Sequence, residues 1–327
     1  MMRLRLGSLT MLMAFGSACS MQSIPVTPSR AGDTAAYTLP APGQTQHLLY
    51  VASGPLGPGG VISIFSVEGS KSKLLATLTK KINGPSGPCL SADGTLYVPN
   101  EEDATIAVFP FGHSTPSRVL AAETGGTPIG CAVDASNNLW VADFANQKVY
   151  EFVDGKNQIG ASVNVSCPAS VAFDPSGNMY VGDFGFNLFG KCKPAAIFAF
   201  APGQSSPFET ITNGLHGILS AIAFGPDGNL YAANFTNADI VVFPPGKTRY
   251  SKKITSKTFG VFALAVAEDG RLYASRAVRA HGKNHYSVVV FARGAESRGR
   301  KLIANPERRS DGLHYISGLA AWPVVVP

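Results

Sequence analysis

Apolar and polar positions alternate along this chain in short runs, and the runs recur in a fixed order. Each unit reads as a small apolar run, a polar turn, an alternating run carrying one aromatic residue, and a third run ending in phenylalanine. The clearest copy is Pro128-Ile129-Gly130-Cys131-Ala132-Val133-Asp134, then Asn138-Leu139-Trp140-Val141-Ala142-Asp143, then Val149-Tyr150-Glu151-Phe152. The aromatic anchors fall at Tyr50, Tyr97, Trp140, Tyr180, Tyr231 and Tyr273, spaced 47, 43, 40, 51 and 42. Turn glycines at Gly69, Gly112, Gly155, Gly203, Gly246 and Gly294 follow with spacings of 43, 43, 48, 43 and 48. Runs this short predict strands, and a period in the forties predicts one four-stranded blade per repeat. The fold class expected is all-β, a six-bladed β-propeller.

Within each blade the innermost strand is small and apolar, as in Ala132-Val133 or Ile222-Ala223-Phe224. The dipeptides Asp93-Gly94, Ser136-Asn137, Ser176-Gly177, Asp227-Gly228 and Asp269-Gly270 then predict tight hairpins. Blade 1 starts at Leu48-Leu49-Tyr50-Val51 with no innermost strand before it. Its counterpart stands at the other end of the chain, where Ser317-Gly318-Leu319-Ala320-Ala321-Trp322-Pro323 parallels Ser220-Ala221-Ile222-Ala223-Phe224-Gly225-Pro226. The C-terminal strand is therefore expected to complete blade 1 and close the ring, which removes the exposed edges of an open one.

The phrases around Trp140, with looser copies around Tyr180 and Tyr231, resemble NHL repeats over roughly residues 47–323. The turn Val242–Gly246, echoed at Phe198–Gly203 and Val108–Gly112, is similar to exported bacterial repeat proteins of unassigned function. The resemblance implies a six-bladed NHL-like propeller, a group of binding scaffolds and a few enzymes, and fold analogy alone does not choose between them.

The remaining features concern location. Arg3 and Arg5, an apolar stretch from Leu6 to Phe15, and Gly16-Ser17-Ala18 read as a signal peptide over residues 1–18. Cys19 stands where a bacterial lipobox cysteine is lipidated, although Gly16 replaces the usual leucine and simple cleavage after Ala18 stays open. Residues 19–46, rich in Pro, Ser and Thr, read as a tether, and 47–327 as the propeller. An exported, membrane-anchored or secreted monomer of the bacterial cell envelope is expected. Four cysteines remain after Cys19, and export permits their oxidation. Cys167 and Cys192 flank connections on one face and are the favoured disulfide; Cys89 and Cys131 head adjacent innermost strands one residue out of register, so pairing and free thiols both stand.

The formal charge is +6, and residues 271–327 hold ten Lys/Arg against Glu296, Glu307 and Asp311. That asymmetry suits either an anionic partner or a solvated edge that discourages strand pairing between molecules. The aromatics recur at blade spacing and read as packing, so nucleic acid is not an expected partner.

Chemistry is thinly signalled. The strand-end residues Ser53, Asn100, Asp143, Asp183, Asn234 and Arg276 offer either a partial ring of cation ligands or partners for their own turns. Propellers of the gluconolactonase and paraoxonase type hold calcium with Glu, Asn and Asp near the innermost strand starts. Here those starts carry no acid or asparagine, which argues against a lactonase. No cofactor is expected.

The expected working face carries the connections into the innermost strands and the loops Phe184–Pro194 and Val278–Tyr286. Phe184, Phe186, Asn187 and Phe189 are the candidates for apolar contact, unless the phenylalanines tuck under their own loop. Arg276, Arg279, Lys283 and His285 are the candidates for an anionic group on a protein or glycan. An alternative is a metal-dependent lyase or hydrolase using His216, His281, His285 and His314, for which the amidating lyases that resemble NHL propellers give a zinc precedent. A second alternative is a structural envelope lipoprotein.

Overall fold

In the computed structural model the chain forms six four-stranded antiparallel sheets arranged as a propeller. The structure describes residues 47–54, 57–157, 159–185, 192, 194–255, 260–280, 283–293, 299–304 and 315–323. The signal peptide, tether and Cys19 lie outside them. Each blade follows the chain from its innermost strand outward, as in Pro168–Phe173, Met179–Asp183, Ala196–Phe200 and Glu209–Ile211 of blade 4. Blade 1 is the exception. Its innermost strand is the C-terminal Tyr315–Trp322, paired antiparallel with His47–Gly54 through Leu49↔Ala321 and Val51↔Leu319.

The two aromatic series explain how the blades cohere. Tyr50, Tyr97, Tyr180, Tyr231 and Tyr273 each pack into the layer shared with the following blade, and Trp140 borders the equivalent layer. The phenylalanines ending the third strands face the other way. Phe65, Phe109, Phe152, Phe200, Phe243 and Phe291 pack into the layer shared with the preceding blade. The core is therefore six inter-blade layers in a ring, each built from both sets. Side chains alternate across a strand, so paired residues one step apart deliver the two aromatics to opposite faces.

The five predicted turns close as one type. In blade 3 the Asn137 N–H donates to the Asp134 carbonyl at 3.0 Å and the Asp134 N–H donates to the Asn138 carbonyl at 3.0 Å. The same pair of bonds recurs around Gly94, Gly177, Gly228 and Gly270. The second residue of each dipeptide is left-handed, with φ from 65° at Asn137 to 85° at Gly94. These are three-residue hairpin loops that end in a left-handed residue, which is why Gly or Asn stands there.

Around the axis the innermost strands approach backbone to backbone. A Cβ on Gly130 would stand 2.6 Å from the Ala169 carbonyl oxygen, and one on Gly87 would stand 2.5 Å from that of Ile129. Serines latch three further contacts. The Ile222 N–H donates to Ser170 Oγ at 3.1 Å, while Ser220 Oγ donates to the Val261 carbonyl at 2.8 Å and Ser317 Oγ to the Pro85 carbonyl at 2.5 Å. Gly130→Val is expected to cost about 1–3 kcal/mol, because a neighbouring backbone must give way. Calorimetry should show a drop of about 2 °C in Tm or more; an unchanged Tm would mean the axis is more compliant than this geometry allows.

Candidate functional site

Four of the six strand-end residues, Asn100, Asp143, Asp183 and Asn234, bond to their own loops, whereas Ser53 Oγ and Arg276 Nε are buried without a partner. Asp143 accepts from the N–H groups of Thr127 at 2.8 Å and Asn146 at 3.1 Å, and from the Asn146 side-chain amide at 3.0 Å. Asp183 accepts from the N–H groups of Cys167 and Gly185. Asn100 donates to the Lys81 carbonyl and the Thr105 hydroxyl, and Asn234 donates to the Gly214 carbonyl and Asp239. All four are fully buried. They hold each second-to-third-strand loop against the connection into the innermost strand, as short polar side chains in turns do.

The next residue in each blade behaves differently, because successive positions point to opposite sides. That column reads Gly54, Glu101, Phe144, Phe184, Phe235 and Ala277. Phe144 meets Phe184 edge to face at 6.0 Å between ring centroids. Phe235 meets Phe262 in the same way at 5.7 Å, and Phe262 meets Tyr315 at 5.8 Å. Aromatic side chains from five blades thus follow one another around most of the axial entrance on this face. Below them lies a cavity of about 80 Å³ lined by Ser86, Glu101, Phe184, Ser220, Phe262 and Ser317, among others.

Glu101 is the one ionisable side chain in that lining. Burial is the main reason its carboxyl is pushed up to about 7; the neighbouring Glu102 adds to the shift, and a hydrogen bond from the Ser86 side chain opposes it. No Lys or Arg forms an ion pair with it among the described residues. Tyr315 lies within electrostatic reach of Glu101, Tyr286 and Glu102, and burial above all pushes its phenol well above the ordinary tyrosine range. The sequence reading did not single out Glu101. The signal was present one position past the strand-end residues, as the lone acid in an otherwise aromatic or small column.

The expected site residues divide. Phe184 is buried against Cys167 and Ile218 and also lines the axial cavity. Its N–H donates to the Cys167 carbonyl at 2.8 Å, and its carbonyl accepts from the Leu219 N–H at 3.1 Å. It therefore packs against the connections into the innermost strands while forming part of the entrance wall. Phe186, Asn187 and Phe189 lie outside the described residues, as do His281 and His314. Disulfides join Cys167 to Cys192 and Cys89 to Cys131.

The expected loop Val278–Tyr286 is corrected by the structure. Strands Leu272–Ala280 and Lys283–Phe291 continue through it as a hairpin arm, with Val278 opposite His285, Arg279 opposite Asn284 and Ala280 opposite Lys283. Its polar composition reads as a loop because a hairpin rising beyond the sheet has no core against which to alternate. Arg276 lies at the base of this arm with Nε buried and without a hydrogen-bond partner, and His285 is exposed. His216, also exposed, sits before the innermost strand of blade 5. Among the described residues no three His, Cys, Asp or Glu side chains come together as a metal site would require.

A larger cavity of about 400 Å³ opens between blades 3 and 4, among the turns of the other face. Its polar groups are spoken for. Asp134 accepts from the N–H groups of Ser136 and Asn138 and from Trp140 Nε1 at 3.0 Å, and Glu151 accepts from the Ala161 N–H at 3.0 Å. Both of those carboxylates accept backbone N–H groups, whereas Glu101 at the axial entrance has the Ser86 side chain as its hydrogen-bond partner.

These features define a six-bladed β-propeller. Residues 55–174, under half of the chain, match the family model described as an SMP-30/Gluconolactonase/LRE-like region, SGL. None of the curated proteins matches. Among solved structures, a protein of unknown function from Bacteroides caccae is 16% identical with a TM-score of 0.63, covering 85% of this chain and 99% of that one. A structure titled as a nidogen/laminin complex is similar at 14% identity and a TM-score of 0.59, covering 84% of this chain and 98% of that one. Hydrazine synthase of Kuenenia stuttgartiensis is similar at 15% identity and a TM-score of 0.55; the match covers 68% of this chain and 66% of that one. At these identities the likeness shows the fold.

Proposed function

We propose that this chain is an extracytoplasmic binding scaffold whose loop face engages a protein or glycan partner of the cell envelope. The observation that carries this reading is the axial entrance, where Phe184 and Phe262 line a cavity of about 80 Å³ and Phe144, Phe235 and Tyr315 meet them edge to face. Sites that enclose a whole small molecule run to roughly 300–1,000 Å³. A cavity this small takes only the end of a ligand, so the rest of the partner rests on the surrounding loops. The blade-6 arm, with Arg276, Arg279, Lys283 and His285, supplies basic positions there for an anionic part of the same partner. The signal-peptide pattern and Cys19 support export, with lipidation as the membrane anchor. The two disulfides fit an oxidising compartment.

The test is to screen the chain lacking residues 1–18 against glycan and envelope-protein arrays, then measure affinity for the partner found. Phe262→Ala is expected to weaken binding tenfold or more, whereas Trp140→Ala in the other cavity leaves it unchanged. The opposite pattern would move the site to the cleft between blades 3 and 4 and end this reading.

A further inference from the structure

The axial entrance contains more than an apolar rim, and the inference below rests on that entrance being the binding site. We propose that Glu101 makes it a receptor for a primary ammonium group at the end of an aliphatic chain. Three observations converge. Glu101 is half-buried and has no cationic partner among the described residues, although withdrawing a carboxylate from water without one is costly. Its hydrogen-bond partner is the uncharged Ser86 side chain, and the adjacent Glu102 adds negative potential. The surrounding wall contains Phe184 and Phe262, with Tyr315 edge to face on Phe262, and aromatic faces attract a cation.

Size and ligand number narrow the class. About 80 Å³ at the mouth of the axis is room enough for an ammonium head and its first methylenes. A trimethylammonium head has no N–H to donate to the carboxylate or the serine hydroxyls. A divalent metal is poorly served as well, since calcium takes six to eight oxygen ligands and this wall is mostly apolar. A lone carboxylate among the hydroxyls of Ser86, Ser170, Ser220 and Ser317 and the rings of Phe184 and Phe262 is instead the donor set of an organic cation site.

The groups facing Glu101 also set the pH dependence. Glu102 raises its carboxyl, the Ser86 side chain lowers it, and the phenol of Tyr315 stays neutral at physiological pH because burial pushes it far up. Because burial holds Glu101 at about 7, its ionised fraction rises about tenfold between pH 6 and pH 8. An alkylammonium stays protonated across that window. Affinity for the cation should therefore rise with pH, by up to about tenfold.

The experiment compares n-propylammonium with 1-propanol, its neutral isostere, by calorimetric or ligand-observed NMR titration of the chain lacking residues 1–18. At pH 8 propylammonium is expected to bind at least tenfold tighter than the alcohol. That preference should shrink at pH 6 and vanish in Glu101→Gln, with an unchanged Tm showing that the variant is folded. Tetramethylammonium should bind more weakly than propylammonium. If amine and alcohol bind equally and both lose affinity in Phe262→Ala, the ammonium proposal falls while the apolar entrance stands. If neither probe binds although an array partner is sensitive to Phe262→Ala, the proposal falls as well. If propylammonium binds equally well to Glu101→Gln and Phe262→Ala, its binding lies elsewhere and the ammonium proposal falls, while the reading of the entrance is decided by the array partner's response to Phe262→Ala.

Discussion

Deleting residues 315–327 is expected to abolish the cooperative unfolding of the entire domain, not merely to fray one end. The strand Tyr315–Trp322 supplies every innermost pairing of blade 1, from Leu48↔Trp322 to Gly54↔Tyr315. Its removal takes Ile316, Leu319 and Ala321 out of the layer between blades 6 and 1 and Ala320 out of the layer between blades 1 and 2. It also removes the Ser317 bond to the Pro85 carbonyl that joins blade 1 to blade 2. Burial of Ile316 and Leu319 alone is worth about 1.5–3 kcal/mol each, and the lost backbone pairings add to that. Against a total stability of about 5–15 kcal/mol this is a decisive fraction. Two layers are damaged because a ring has no spare end, and the exposed edge of Leu48–Ala52 invites pairing between chains. Calorimetry and size-exclusion chromatography should show a broad or absent transition and soluble aggregates. A synthetic peptide spanning Tyr315–Trp322 should restore part of the transition. A truncated chain that melts within about 2 °C of the intact one would refute closure as the source of stability.

The parts of this fold that were legible in the sequence are those written six times. Each aromatic anchor and each strand-ending phenylalanine serves one inter-blade layer, so a spacing in the forties is a direct record of the ring. The hairpin dipeptides were equally legible, because only Gly or Asn sits easily at a left-handed residue. Closure was legible because blade 1 lacked what the C-terminus had to spare. What repetition hides is the position where one copy departs. Glu101 occupies a column otherwise filled by Phe144, Phe184, Phe235, Gly54 and Ala277, and its meaning depends on which side of the chain faces the axis. The strand-end acids Asp143 and Asp183 looked more chemical, yet each bonds to loop backbone N–H groups. The pairing of Cys89 with Cys131 was left open by a one-residue offset in register. In the structure the two innermost strands run so close that the Cys131 N–H donates to the Gly87 carbonyl at 3.2 Å, and the side chains meet despite the offset.

That bridge carries the second large effect. Replacing Cys89 and Cys131 together by alanine is expected to lower stability by up to about 4 kcal/mol, because the crosslink closes a 42-residue separation in the unfolded chain. The separation spans one complete blade, so the crosslink ties the first complete blade to its neighbour at the axis. The Cys167–Cys192 bridge closes 25 residues, and by the same loop-closure argument it contributes about 3.5 kcal/mol. Denaturant titrations of the two double variants should therefore rank them in that order, with the Cys89/Cys131 pair the more damaging. Alanine is the right replacement, since Cys89 and Cys131 are buried and a serine hydroxyl would add an unsatisfied polar group. A Cys89/Cys131 variant within about 1 kcal/mol of the parent would show that the bridge records proximity without supporting the fold. The result also bears on location. If the two bridges together supply this much of a stability of about 5–15 kcal/mol, the chain folded under reducing conditions should be close to its threshold. Expression without residues 1–18 in a reducing cytosol should then yield far less folded protein than export to an oxidising compartment. Equal yields from both routes would remove the disulfides as support for export.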